Sequence, residues 1–433
     1  MSSAKLALLG KSMNDKASVK GPDERRTPIS ALRHREFAIY WGGSVLSLVG
    51  TQFTTVAMAW QIYELTNSPL QLGMLGLARG APMLVLLLFG GLLADAVNRR
   101  QLLIATQIGQ LIVSVVLVLL TLWGQVSPWV LYAASLFLAL FSALEQPART
   151  AIIPNIVPRS DLTNALALSS TQRQVANIVG PSLAGLLLAH SGAALCYVVD
   201  ALSWLAMLAA LAMMRPLVQT AGGRGAVSMK ALREGVEFVW AHPVILAMMA
   251  LDFAQNFFGS GRALLPVYAR DILNVGPQGL GLLYTANSVG ALVMGAVMSV
   301  RRPPQRAGIW VLMAVAAYGI FTALFGISHS FWLSFLMLAG AGAANTVSFV
   351  LRNTINQLVT PDEIRGRVTS VNSMFTNTGP QLGQFEAGAV ASAIGPVAST
   401  ALGGALVTVV AASLAAVGSV RKFEVRENAR ARV

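Results

Sequence analysis

The sequence is poor in cysteine, histidine and charge, and each scarcity closes off a class of function. Its 433 residues include one cysteine, Cys196, so no disulfide can form within the chain, and no Cys/His spacing suits a metal site. The four histidines, His34, His190, His242 and His329, fall in tails or at the ends of apolar runs, which argues against a histidine relay inside a membrane. With so few such groups, no convergent nucleophile, base or metal set for a membrane-embedded enzyme can be assembled. No Gly-x-x-x-x-Gly-Lys-Ser/Thr loop occurs, so energy is expected from an ion gradient and not from ATP. Charged residues are only 11% of the chain, less than half the share of an ordinary soluble domain.

Apolar residues fill the space that charge vacates. They make up 55% of the chain, and the mean hydropathy is +0.64. Apolar segments run at roughly 37–62, 70–94, 101–123, 129–148, 164–189, 193–214, 244–268, 278–300, 307–327, 331–351, 368–394 and 398–420. Each is long enough to cross the hydrocarbon core, which takes about 20 helical residues. The longest internal connection, 215–243, carries Gly222-Gly223-Arg224-Gly225 and an amphipathic piece from Met229 to Trp240, and it divides the segments six and six. The expected fold is therefore an all-α membrane protein of twelve transmembrane helices. Its parts are an N-terminal tail (1–36), a first bundle (37–214), a central loop (215–243), a second bundle (244–420) and a C-terminal tail (421–433).

The net charge of +13 is explained by where the charge lies. If the N-terminus is inside, all but four of the 31 Lys and Arg fall in the tails and the inner turns, the four being Arg79, Arg173, Arg262 and Arg270. That bias is the positive-inside pattern and places both termini in the cytoplasm. No nucleic acid is needed to account for it. Seven of the eight tryptophans sit near span ends, where amphipathic rings favour the interface; Trp204 is the exception.

The two halves are related to each other. Arg149, Pro158, Asn164-Ala165 and Gly180-Pro181-Ser182-Leu183-Ala184-Gly185 return about 200 residues later as Arg352, Pro361, Arg365-Gly366-Arg367 and Gly379-Pro380-Gln381-Leu382-Gly383. Both copies run in the same direction, so the repeats are parallel. Each reads as the end of one helix, a basic turn and a helix broken at Gly-Pro, where Pro181 and Pro380 lack a donor and Gly185 and Gly383 admit a close neighbour. The functional reading is a hinge or leak barrier; ordinary tight packing is the alternative.

Several of these residues resemble known signatures. Twelve spans in two parallel six-helix halves look like the major facilitator superfamily, in which two bundles rock about a central site. The stretch Gly91-Leu92-Leu93-Ala94-Asp95-Ala96-Val97-Asn98-Arg99-Arg100 resembles that superfamily's signature turn after the second span, departing from it at Ala96 and Asn98. Pro147-Ala148-Arg149-Thr150-Ala151-Ile152-Ile153-Pro154, together with Asn164-Ala165, Gly180-Pro181 and Arg365-Gly366-Arg367, is similar to the branch that includes enterobactin exporters and macrolide efflux proteins. The resemblance implies a secondary active exporter of a small amphipathic compound of drug or siderophore type, exchanged for protons in a cell membrane. A monomer without cofactor or metal is expected, and an importer on the same fold is the nearest alternative.

Candidate site residues follow from polar groups placed within spans. Asp252, with Gln255 and Asn256 one turn on, forms a polar stripe expected to face a cavity as a proton or substrate site; a buried structural pair is the competing reading. Arg79, Arg173 and Asn177 are basic and polar counterparts able to hold an anion or to form helix-helix pairs, and Glu386 and Arg262 are weaker candidates. Gly91, Asp95, Arg99, Arg100, Glu145, Arg149 and Arg352 are read as a cytoplasmic gate, with Glu145 and Arg149 spaced i, i+4 as a local pair. No acid lies between Glu36 and Glu64 in the first span, where many drug antiporters of the superfamily have one. Asp200 has no partner that can be named from sequence.

Overall fold

The structure is a computed structural model that describes residues 29–96, 99–215, 229–301, 304–416, 421 and 423. Five long helices precede residue 216: α1 (Arg35–Thr66), α2 (Pro69–Ala96), α3 (Arg99–Leu122), α4 (Pro128–Ile156) and α5 (Leu162–Met213). Seven follow: α6 (Met229–Ala241), α7 (Pro243–Phe257), α8 (Gly276–Val300), α9 (Ala307–Gly326), α10 (Phe331–Val359), α11 (Arg365–Ile394) and α12 (Pro396–Ala415). No strand occurs among the described residues. Nine helices among them are long and apolar enough to cross a membrane. A helix satisfies its own backbone donors and acceptors, which the dry core of a bilayer requires. Trp123, Trp129, Trp240, Trp310 and Trp332 are exposed near helix ends, whereas Trp204 is buried.

Local sequence sets the boundaries. Pro128, Pro243 and Pro396 stand in the first turn of α4, α7 and α12, where a missing N–H costs nothing. Asn67, at φ 48°, makes the two-residue turn between α1 and α2, and Gly395, at φ 90°, turns α11 into α12.

Three features differ from the sequence reading. The helices do not break at Gly-Pro. α5 runs through Pro181 and is interrupted instead at Gly192, at φ 74°, which divides it into two arms. Just past Pro181, Ser182 Oγ donates to the carbonyl of Ile178 at 3.4 Å, and Thr285 Oγ1 of α8 lies 3.0 Å from the same oxygen. α11 likewise passes through Pro380 unbroken. The expected seventh span is not one helix either. α7 stops at Phe257, and the chain continues through a 3-10 turn, Gly261–Leu264, into a π-helical turn, Tyr268–Ile272. Finally, α11 is not among the nine apolar helices, because Asn372, Asn377, Gln381, Gln384 and Glu386 lower its hydropathy.

Packing separates the two ends of the molecule. α1 lies along α5 and α2 along α4, while α8 lies along α10 and α9 along α12. The two most extensive contacts between the earlier helices and the later ones are α2 against α11 and α5 against α8. Both are made by facing glycines. A Cβ on Gly185 would stand 2.8 Å from Gly281 Cα, and one on Gly388 would stand 2.8 Å from Gly73 Cα. At the sparsely charged end, marked by Asn67 and Gly395, one hydrophobic cluster takes Ile62, Leu117 and Tyr197 from the earlier helices and Leu264, Tyr268 and Leu280 from the later ones. At the opposite, basic end the clusters are separate. Phe37, Leu103 and Ile152 belong to one, and Met248, Val311 and Ile355 to another.

Candidate functional site

Between the two groups of helices lie two adjoining cavities of about 310 and 380 Å3, and Thr55 and Arg79 line both. The first is walled by α1 to α5, with Gln110 from α3 and Gln381 contributed by α11. The second is walled by residues of both groups, among them Gln52 and Asn177 on one side and Gln255, Asn256, Tyr284 and Asn345 on the other. Its size and mixed lining suit a small organic molecule.

In the first cavity the acids are held in hydrogen-bond networks. Glu145, 3% exposed, pairs with Arg149 one turn later and accepts from Gln107 Nε2 at 2.6 Å and Gln110 Nε2 at 2.9 Å. Arg149 reaches across to α1, donating to Ser44 Oγ at 2.9 Å and Ser47 Oγ at 3.3 Å. Asp200, 1% exposed, accepts from Thr54 Oγ1 at 2.8 Å and Ser114 Oγ at 2.7 Å, so two other helices hold its carboxylate. The sequence reading paired Glu145 with Arg149 but named neither the glutamines nor any partner of Asp200. The signal was present on α3, where Gln107, Gln110 and Ser114 are spaced i, i+3, i+7 and share one face.

In the later helices the polar stripe on α7 is divided. Asp252 lines neither cavity; it turns toward Arg352 Nη2 at 2.6 Å and accepts from Thr376 Oγ1 at 3.0 Å, tying α7 to α10 and α11. Both members of this pair are buried. Asn256 Nδ2 donates to the same carboxylate at 3.1 Å, and Gln255 Nε2 donates to Asn345 Oδ1 at 2.8 Å; these two amides do line the second cavity. Arg352, grouped by sequence with the gate, thus meets Asp252, grouped with the cargo site. It is the counterpart of Arg149: each arginine reaches from the fourth long helix of its half to the first, onto serines in one case and onto a carboxylate in the other.

The remaining candidates fall in three places. Arg79 and Asn177 line the cavities, and Asn177 Oδ1 accepts from Gln52 Nε2 at 3.0 Å. Arg173 lines the first cavity and Arg262 the second, while Glu386 lines neither. Arg100 Nη2 donates to the carbonyls of Leu211 and Met214, at 2.7 and 3.2 Å, where the second arm of α5 ends and its carbonyls have no helical partner. The side chains of Gly91, Asp95 and Arg99 lie outside the described residues. Gly180 and Gly379 pack against Gln52 and Asn256.

The profile of the transmembrane secretion effector family matches residues 26–432. The chain belongs to that family. It is a multi-pass membrane protein of the major facilitator type, and its fold is that of transporters. Among relatives of known role, it is 27% identical over 371 residues to the enterobactin exporter of Shigella boydii serotype 18, covering 86% of this chain and 89% of the relative. A POT family transporter solved with a thioalcohol-conjugated peptide superimposes with a TM-score of 0.70 at 11% identity, over 90% of this chain and 97% of the other. A bacterial homologue of the lysosomal transporter Spinster, inward-facing and unoccupied, gives 0.64 at 15% identity, over 90% and 96%.

Proposed function

We propose that this family member is a secondary active transporter that exports a small siderophore- or drug-type compound across the cell membrane in exchange for protons. Twelve spans in two parallel six-helix bundles, 37–214 and 244–420, rock about the central cavities, with the 215–243 connection between them and the tails 1–36 and 421–433 in the cytoplasm. The observation that carries this reading is the second cavity. It is polar, it draws its walls from both groups of helices, and it lies between an end where their cores are fused and an end where they are separate. Rocking the two groups exposes such a site to one side and then the other.

Likeness to an enterobactin exporter over most of both chains supports the outward direction and the siderophore-type cargo over import. The basic end is the cytoplasmic end on this reading, in keeping with the positive-inside pattern. Glu145, Arg149 and Arg100 belong to the gate at that end, together with Gly91, Asp95 and Arg99. Gly185 and Gly383 serve as close-contact points, with Pro181 and Pro380 beside them. Asp252 and Glu386 are the coupling candidates in the second bundle, and Arg352, read from sequence as part of the gate, pairs with Asp252. The protein works as a monomer, without catalysis.

Everted membrane vesicles carrying an imposed proton gradient and a pH-sensitive dye test this. A panel of siderophores, macrolides and lipophilic cations is added to vesicles with and without the protein. Dissipation of the gradient by some compound only where the protein is present supports proton-coupled export. Uptake of the compound with no proton movement removes the coupling, and movement only in the inward direction in intact cells replaces export with import.

A further inference from the structure

The two arginines that line the second cavity, Arg79 and Arg262, have no carboxylate partner among the described residues. Arg79 donates from Nε to Ser135 Oγ at 3.1 Å, and its terminal nitrogens have no partner among the described residues. Arg262 makes no ion pair among them; its guanidinium stands over the Tyr284 ring, 6.0 Å from the centroid. Arg79, Arg262 and Tyr284 all line the second cavity, so each of the two groups of helices brings one positive charge to the same space. No Asp or Glu lines that cavity among the described residues. Its other polar walls are amides and hydroxyls, and Tyr284 and Tyr318 add aromatic faces.

Two guanidinium groups that face one cavity without counter-charge repel each other, which an anion placed between them offsets. Guanidinium groups present paired donors to paired oxygens, and tyrosine rings stack on flat ligands. We propose that Arg79, Arg262 and Tyr284 form an anion-binding subsite, and that the cargo carries negatively charged oxygens on an aromatic ring. Arg79 and Arg262 come from opposite groups of helices, so the anion bridges the parts that move and is released when they separate. An inside-negative membrane potential favours the exit of such a cargo. This inference rests on the reading of the cavity as a transport path.

The test uses the full chain in lipid nanodiscs and [14C]salicylate in a scintillation proximity assay, with unlabelled salicylate and its neutral amide, salicylamide, as competitors. Wild type is expected to bind salicylate saturably, with salicylamide competing about tenfold or more weakly, because charge-assisted bonds to the acid are lost. Arg79→Gln and Arg262→Gln are expected to weaken salicylate about tenfold while leaving salicylamide unchanged, and Arg79→Lys to retain part of the affinity. Arg262 has an exposed side chain, so its variant probes the charge without disturbing packing. Absence of saturable salicylate binding to folded wild type, equal competition by acid and amide, or arginine variants that bind like wild type would each overturn the proposal. Salicylate binding without efflux of any compound from vesicles leaves the subsite standing and removes the exporter reading. Efflux of neutral or cationic compounds with no salicylate binding does the reverse.

Discussion

Asp252 and Arg352 meet at 2.6 Å inside the protein, joining α7 to α10 where the first half has only serines opposite Arg149. The carboxylate also accepts from Thr376 and Asn256, so three helices share one buried charge pair. Such a pair gains little over apolar residues of the same shape but is costly to break, since the survivor is left charged and without a partner.

Asp252→Asn is therefore expected to lower stability by about 3–5 kcal/mol, seen as a fall in the thermal unfolding midpoint of the purified protein. Replacing both partners, as Asp252→Leu with Arg352→Met, is expected to recover most of that loss. A single variant as stable as wild type would show that the pair does not hold these helices together.

The fold was legible where one residue type decides the outcome. Apolar runs pointed to the helices, and the Arg149/Arg352 repeat pointed to matching positions in two halves. Less legible were the outcomes that depend on a neighbour. Pro181 does not break α5, and the turn after it meets Thr285, more than a hundred residues away in sequence, through a packing of α5 on α8 that no local pattern announces. Asp252 was readable as an intramembrane acid, but its turn toward Arg352 depends on how α7, α10 and α11 pack. Asp200 finds Thr54 and Ser114 on helices far from it in the chain. The second cavity joins Arg79 to Tyr284 and Arg262, and no spacing within one helix connects them.

The glycine contact between α5 and α8 bears on which end opens. A leucine at Gly185 meets Gly281 Cα at 2.8 Å and the Pro277 carbonyl at 2.5 Å, both backbone and unable to yield. Gly185→Leu is expected to push the two groups apart at the sparsely charged end. Spin labels on the exposed residues Gln125 and His329, in a Cys196→Ala background, report this as a longer distance by double electron-electron resonance.

Tyr63 closes the same end by a different contact. Its hydroxyl donates to the Asp271 carboxylate across the two groups of helices, and Arg270 stands over its ring at 5.7 Å. Tyr63→Phe removes the hydrogen bond and keeps the ring. The expected result is a broader Gln125–His329 distance distribution with the thermal midpoint lowered by no more than the loss of about 1–2 kcal/mol brings. An unchanged distribution would show that the bond plays no part in closure.

The central claim is that the two groups of helices open alternately at opposite ends. It is tested most directly by measuring two distances on the same protein in nanodiscs, Gln125–His329 at the sparsely charged end and Arg159–Asp362 at the basic end, while pH and an exported compound are varied. The account predicts that conditions lengthening one distance shorten the other. Distances that stay fixed, or that lengthen and shorten together, would contradict it.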